Sequence, residues 1–294
     1  MKSVNTDFLA KIKGLVSIRS KKKTSNILDG EFHSLYKGRS LEFDELREYA
    51  PGDNIRDIDW KTSSRIGKTM VRKYIAEKKH NILFVADTGT KMDADTSAGD
   101  SKADVALDIY GTIAYLTDRQ SDEYALIDST PQGYDFSYFR SGRIHFEELA
   151  VRMTRTIRQE PKHRLAEVLN YVAENIRRRM IIVIITDLDG LDSIQENLLR
   201  KLTVNNDVLV ANIDDAYLYG DQAYDTDRGM YEDDFLLHSP SIRKAEIEER
   251  ARIKDKASKL FRKYGVACVN VTGEKDVVEK IIDLFERQSS GNFG

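Results

Sequence analysis

Four short apolar runs, at residues 82–86, 180–185, 208–213 and 266–271, constrain this chain more than any other feature. Each is rich in β-branched residues and closes on polar or turn residues, the pattern of strands buried on both faces of a parallel sheet. The stretches between them carry helical spacing. Ala103, Leu107, Ile109, Ile113, Ala114 and Leu116 follow it, as do Leu165, Val168, Leu169, Val172, Ala173 and Ile176. A third helix is expected to open at Ser239-Pro240, where serine caps and proline suits the first turn, and to stop before Gly265. A last one is expected over about 275–287, and residues 123–127 and 133–140 read as a hairpin turning at 129–132. Strands alternating with helices predict an α/β fold: a doubly wound, mostly parallel, Rossmann-like sheet with one antiparallel edge strand. Ligands on such sheets gather beyond the carboxyl ends of the strands.

The rest of the chain narrows the function classes. The longest unbroken apolar run has six residues, far short of the roughly 20 a membrane-spanning helix needs, so no membrane insertion is expected. No apolar stretch follows the basic N-terminus as in a signal peptide, which leads to a cytoplasmic expectation. Cys268 is the only cysteine, and the histidines show no ligand spacing, so no cofactor and no histidine- or cysteine-based metal site are expected. A net charge of −3 gives no general attraction to nucleic acid. The charge is uneven, however. Residues 214–234 form an acidic loop, whereas 140–179 are rich in arginine, and opposed patches of this kind can steer a charged protein partner.

Ahead of the alternating core, residues 30–77 are charged, rich in turns and contain the only tryptophan. Residues 38–65 read GRSLEFDELREYAPGDNIRDIDWKTSSR, in which arginines and carboxylates are dense enough to build a fixed ion-pair network around the Pro51-Gly52-Asp53 turn. This string resembles the signature of the bacterial DUF58 family, roughly G-x-G-x-E-F-x-x-x-R-x-Y-x-P-G-D-x-x-R-x-I-D-W-x-x-S-A-R. Gly38, Glu42, Phe43, Arg47, Tyr49, Pro51, Gly52, Asp53, Arg56, Ile58, Asp59, Trp60, Ser63 and Arg65 match, with Ser40 and Ser64 as departures. The resemblance implies an N-terminal extension (1–77) followed by an α/β domain (78–294) similar to von Willebrand factor type A (vWA) domains. In the signature, Arg47, Arg56 and Arg65 are expected to pair with Glu42, Asp53 and Asp59. Trp60 is expected to anchor the segment, and Tyr49 belongs to the same binding stretch.

A vWA domain with an intact metal-ion-dependent adhesion site carries D-x-S-x-S-M after its first strand, a threonine in a second loop and an aspartate after its fourth strand. Here the first motif reads Asp87-Thr88-Gly89-Thr90-Lys91-Met92, so Gly89 and Lys91 stand where hydroxyl ligands belong; the threonine position falls near His163, and Asp187 is retained. The expectation is a degenerate, metal-free site in which the Lys91 ammonium sits between Asp87 and Asp187. The resemblance further implies a non-enzymatic protein-interaction module, an adaptor or co-chaperone for a MoxR-type AAA+ ATPase. Two alternatives start from the same residues: a metal-dependent adhesion module, and a magnesium-dependent phosphatase of haloacid-dehalogenase type using Asp187 and Asp189 in the string IIVIITDLDGL.

Overall fold

The computed structural model describes residues 30–32, 43–51, 53, 55, 58–74, 80–130, 133–159, 164–217, 224–225, 230–231 and 239–293. Glu42, Arg56, His163 and most of the acidic loop lie outside the described residues.

The signature segment forms an antiparallel ribbon of β1 (Phe43–Glu48) and β2 (Met70–Tyr74), joined through a turn and the short helix α1 (Trp60–Ile66). The core follows with β3 (Asn81–Ala86), α2 (Lys102–Arg119), β4 (Glu123–Thr130), β5 (Gly133–Phe136), α3 (Arg143–Gln159), α4 (Leu165–Asn175) and β6 (Ile181–Thr186). It continues through α5 (Leu188–Ser193), α6 (Glu196–Thr203), β7 (Asp207–Ile213), the small hairpin β8 (Tyr224–Asp225) and β9 (Met230–Tyr231), α7 (Pro240–Tyr264), β10 (Ala267–Val271) and α8 (Val277–Ser290).

Among the described residues, six strands make the main sheet in the order β10-β7-β6-β3-β4-β5, parallel throughout except for the antiparallel β4/β5 pair. The α/β expectation therefore holds. Because side chains alternate across a strand, β3 sends Ile82 and Phe84 into one core and Leu83 and Val85 into the other. The first core is closed by α2, α3 and α8, the second by α4, α6 and α7. Helices α2, α4, α7 and α8 sit where apolar spacing puts them; Gly265 ends α7 in the left-handed conformation at φ +66° as expected, whereas Ser239 precedes α7 without making the expected side-chain cap hydrogen bond. Helix α3 was not expected. Its buried Phe146, Leu149, Ala150, Met153 and Ile157 do follow helical spacing, but arginines between them mask the pattern. The signature ribbon was also not expected as β structure. Burial pushes the Cys268 thiol up to about 12, so no reactive thiolate forms near neutral pH. No helix among the described residues is long and apolar enough to cross a membrane.

Candidate functional site at the carboxyl ends of the strands

Strand order reverses between β3 and β6, which lie side by side although each continues outward to a different edge. The loops leaving these two strands diverge, and the crevice between them is where a doubly wound sheet presents its ligand site. Asp87 follows β3 and Asp187 follows β6, so both aspartates stand at the crevice, each at most 2% exposed.

Asp187 caps α5, accepting the Gly190 amide at 3.2 Å, and its other oxygen accepts the Lys102 ammonium at 3.0 Å. Lys102 opens α2 with its side chain pointing into the crevice, and its ammonium also pairs with Asp215 beyond β7. The second oxygen of Asp215 accepts the Leu188 amide at 3.3 Å. The ammonium is thus clasped by carboxylates from the ends of two neighbouring strands, and only 1% of the Lys102 side chain reaches solvent. Burial alone would pull its pKa down; the charges of Asp187 and Asp215 and their hydrogen bonds more than offset this and hold it above the ordinary lysine value. Asp215 carries the residual cost of two acids around one cation. Burial and the adjacent Asp187 push its carboxyl up, against the pull of Lys102 and Arg250.

Asp87 turns the other way. One oxygen accepts the Thr186 hydroxyl at 2.7 Å and the other the Gly89 amide at 3.3 Å. Gly190 makes this packing possible. A Cβ there would fall inside the Thr186 hydroxyl and lie 2.7 Å from Asp87 Oδ2. The glycine of the Asp-x-Asp-Gly string is thus required by close approach, whatever chemistry the string suggests. Gly190→Ala is expected to cost about 2–3 kcal/mol through overpacking, read as a lowered denaturant midpoint with an unchanged slope.

The expected position of Lys91 is corrected. Met92, 1% exposed, is the buried residue of the turn Thr90–Asp93, which leaves Lys91 facing outward. Lys91 pairs with Asp189 rather than bridging Asp87 and Asp187, with both side chains about half exposed. The internal cation is Lys102, which sequence reasoning missed. One signal was available: a lysine in the first turn of a helix opposes the helix dipole and calls for a local anion.

A divalent ion does not fit this donor set. The Lys102 ammonium already bridges Asp187 and Asp215, Gly89 brings no ligand, Lys91 brings a cation, and Asp87 is engaged by Thr186 and Gly89. Among the described residues no group of three or more histidine, cysteine or acidic side chains is arranged to hold a metal.

In the signature segment, Arg47 pairs with Asp53, whose second oxygen accepts the Ala50 amide at 2.8 Å and so ties the backbone at Ala50 to Asp53. The Ala50 amide does most to lower the Asp53 pKa; burial opposes it, and the hydrogen bond and charge of Arg47 add to the lowering. Asp59 caps α1 through the Thr62 amide at 3.0 Å. The Ser63 hydroxyl donates to the Asp59 carbonyl at 2.7 Å and accepts the Met70 amide at 2.8 Å, tying α1 to β2. Two expectations are corrected here. Trp60 is 67% exposed at the first turn of α1, so it anchors nothing within the described residues. Arg65 is exposed and makes no ion pair among them. Tyr49, exposed, continues the ribbon through its amide to the Thr69 carbonyl.

The DUF58 family, described as proteins of unknown function, matches this chain over residues 45–221, from the signature ribbon through the switch-point crevice. The chain belongs to the DUF58 family. Relatives of this DUF58 protein include uncharacterised proteins of Mycobacterium tuberculosis H37Rv and Mycobacterium bovis AF2122/97, each 28% identical over 173 residues, which is 58% of this chain. The chain spans about half the length of these curated relatives, 54%. Similar solved structures include a von Willebrand factor type A protein from Catenulispora acidiphila, with TM-score 0.44 and 9% identity, covering 73% of this chain and 43% of that one. The SpRpn10 VWA domain gives TM-score 0.37 and 12% identity, covering 68% of this chain and 94% of that domain. The pilus adhesin SpaC of Lactobacillus rhamnosus GG gives 0.36 and 12%, covering 65% and 31%.

Proposed function

We propose that this DUF58 protein is a metal-independent protein-interaction module, an adaptor or co-chaperone that works with a MoxR-type AAA+ ATPase. The observation that carries the reading is the Lys102 ammonium between Asp187 and Asp215. It fills the crevice of the sheet with a tethered cation and commits Asp187 to structure, so the contacts left at its rim are the exposed Lys91–Asp189 pair and not a free nucleophile. The choice of an ATPase partner rests on the family resemblance in residues 38–65. Affinity purification of the full chain from its native host, followed by mass spectrometry, tests it: an AAA+ ATPase should be enriched with the wild type and lost with Lys91→Glu/Asp189→Lys. Enrichment of no ATPase, or phosphoester hydrolysis that disappears in Asp187→Asn, would overturn it.

The signature divides into two roles in this reading. Arg47, Asp53, Asp59 and Ser63 brace the ribbon, while Trp60 and Arg65 face a partner. Asp59→Ala is expected to cost about 1 kcal/mol through loss of the α1 cap. Trp60→Ala should leave stability within about 0.5 kcal/mol while abolishing partner capture. Urea melts and the same affinity purification check both expectations. A large melting shift in Trp60→Ala would make the tryptophan part of the brace.

A further inference from the structure

The sheet ends at β5, which pairs with β4 on one side and with no strand among the described residues on the other. The Ser137 amide bonds the Leu126 carbonyl, and the register pairs Asp128 with Asp135 and Ser129 with Tyr134. By the alternation of an antiparallel ladder, Asp135 turns its backbone groups toward β4, whereas Tyr134 and Phe136 turn theirs outward. An open edge of this kind is usually blunted by lysine or proline on the strand, and Gly-Tyr-Asp-Phe has neither.

Aromatic rings and arginines line this edge. Tyr134 lies 3.9 Å from Tyr171 of α4, Phe136 lies 6.0 Å from Phe139, and the Arg178 guanidinium sits 5.0 Å over the Phe139 ring. Just beyond, Arg140 lies 5.9 Å over Tyr138, which is 77% exposed. Arg140 and Arg178 are exposed and have no carboxylate partner among the described residues. The strip runs down β5 toward the start of β4, where Arg140 bridges Tyr124, and so away from the carboxyl-end crevice.

We propose that the β5 edge docks an extended acidic segment of a partner protein, which adds a strand to the sheet. The outward groups of Tyr134 and Phe136 supply the ladder, the aromatic strip packs alternate side chains, and Arg140 and Arg178 take the carboxylates. Aromatic rings with arginines also suit single-stranded nucleic acid. The open strand edge favours a polypeptide, because only another backbone matches its alternating donors and acceptors, and the net charge of −3 gives nucleic acid no general attraction. The proposal rests on the reading of the chain as a protein-binding module, but its test involves no ATPase, so either can fail alone.

The probe is a fluorescein-labelled peptide of about eight residues alternating glutamate and valine, titrated into the full chain by anisotropy, with a lysine-valine peptide and a short oligothymidine as competitors. Saturable binding is expected, with slowed exchange of the Tyr134 and Phe136 amides. Arg140→Ala/Arg178→Ala should weaken it about tenfold. Tyr134→Pro should abolish it with only a small fall in melting temperature from the lost stacking on Tyr171, since the lost amide faces away from β4. Absence of binding, binding that survives the double arginine variant, or equal competition by the lysine-valine peptide or the oligothymidine would each overturn the proposal.

Discussion

Lys102→Met is expected to destabilise the protein by about 3–5 kcal/mol, the cost of leaving buried carboxylates without their cation. The side chains of Lys102, Asp187 and Asp215 are 1%, 2% and 17% exposed, so water offers little replacement for the lost ammonium. The methionine keeps most of the volume of the lysine stem, so electrostatics and not a cavity carries the loss. The melting temperature should fall by roughly 10 °C on the scale at which 1 kcal/mol moves a domain of this size a few degrees. The pH dependence has a definite sign. Asp215 already has its carboxyl raised in the folded protein, and without Lys102 it rises further. A raised folded value means that the native state takes up protons before the unfolded chain does, so stability is gained as pH falls toward the ordinary carboxylate value. The deficit of the variant should therefore shrink between neutral pH and about pH 5, while wild type over the same interval changes less. Asp215→Asn in the Lys102→Met background should recover part of the loss; additive costs would mean that the two residues do not share a cluster.

Arg152→Met is expected to cost about 3 kcal/mol or more for a related reason at the other side of the sheet. Asp128 at the end of β4 is fully buried, and Arg152 from α3 grips it with Nη2 at 2.6 Å and Nε at 3.2 Å. The same guanidinium donates to the Asp135 carbonyl on β5. Burial pushes the Asp128 carboxyl up even with the arginine present, so its removal should leave a deficit that again eases on acidification. Because one side chain holds both β4 and β5 to α3, hydrogen exchange of β5 amides should accelerate beyond the global change in stability. Urea denaturation with exchange measured residue by residue separates the two effects. A uniform acceleration would mean that Arg152 braces the whole fold and not this edge.

Much of the architecture was legible in the sequence, and the failures have physical causes. Strands buried on both faces announce themselves as apolar runs, and β3, β6, β7 and β10 emerge within a residue of where those runs lie. The signature ribbon stayed hidden because its strands bury little: Arg47 and Glu48 are polar, and only Val71 among the described side chains of the ribbon is buried. The crevice was half visible. Asp87 and Asp187 follow directly from strand ends, but the cation that joins Asp187 to Asp215 comes from a helix start that is remote in sequence from both. Local spacing therefore favoured Lys91, which lies next to Asp87 in the chain but faces Asp189 and solvent in space. Trp60 failed for a different reason. An aromatic residue among charges reads as an anchor when burial is assumed, and its exposure appears only once α1 is folded.

Calorimetric titration of manganese into the full chain at neutral pH tests most directly whether the Lys102 ammonium between Asp187 and Asp215 closes the crevice to divalent ions. No saturable heat in the micromolar range and no rise in melting temperature with manganese or magnesium are expected. Saturable micromolar binding that raises the melting temperature and vanishes in Asp187→Asn would contradict that closure.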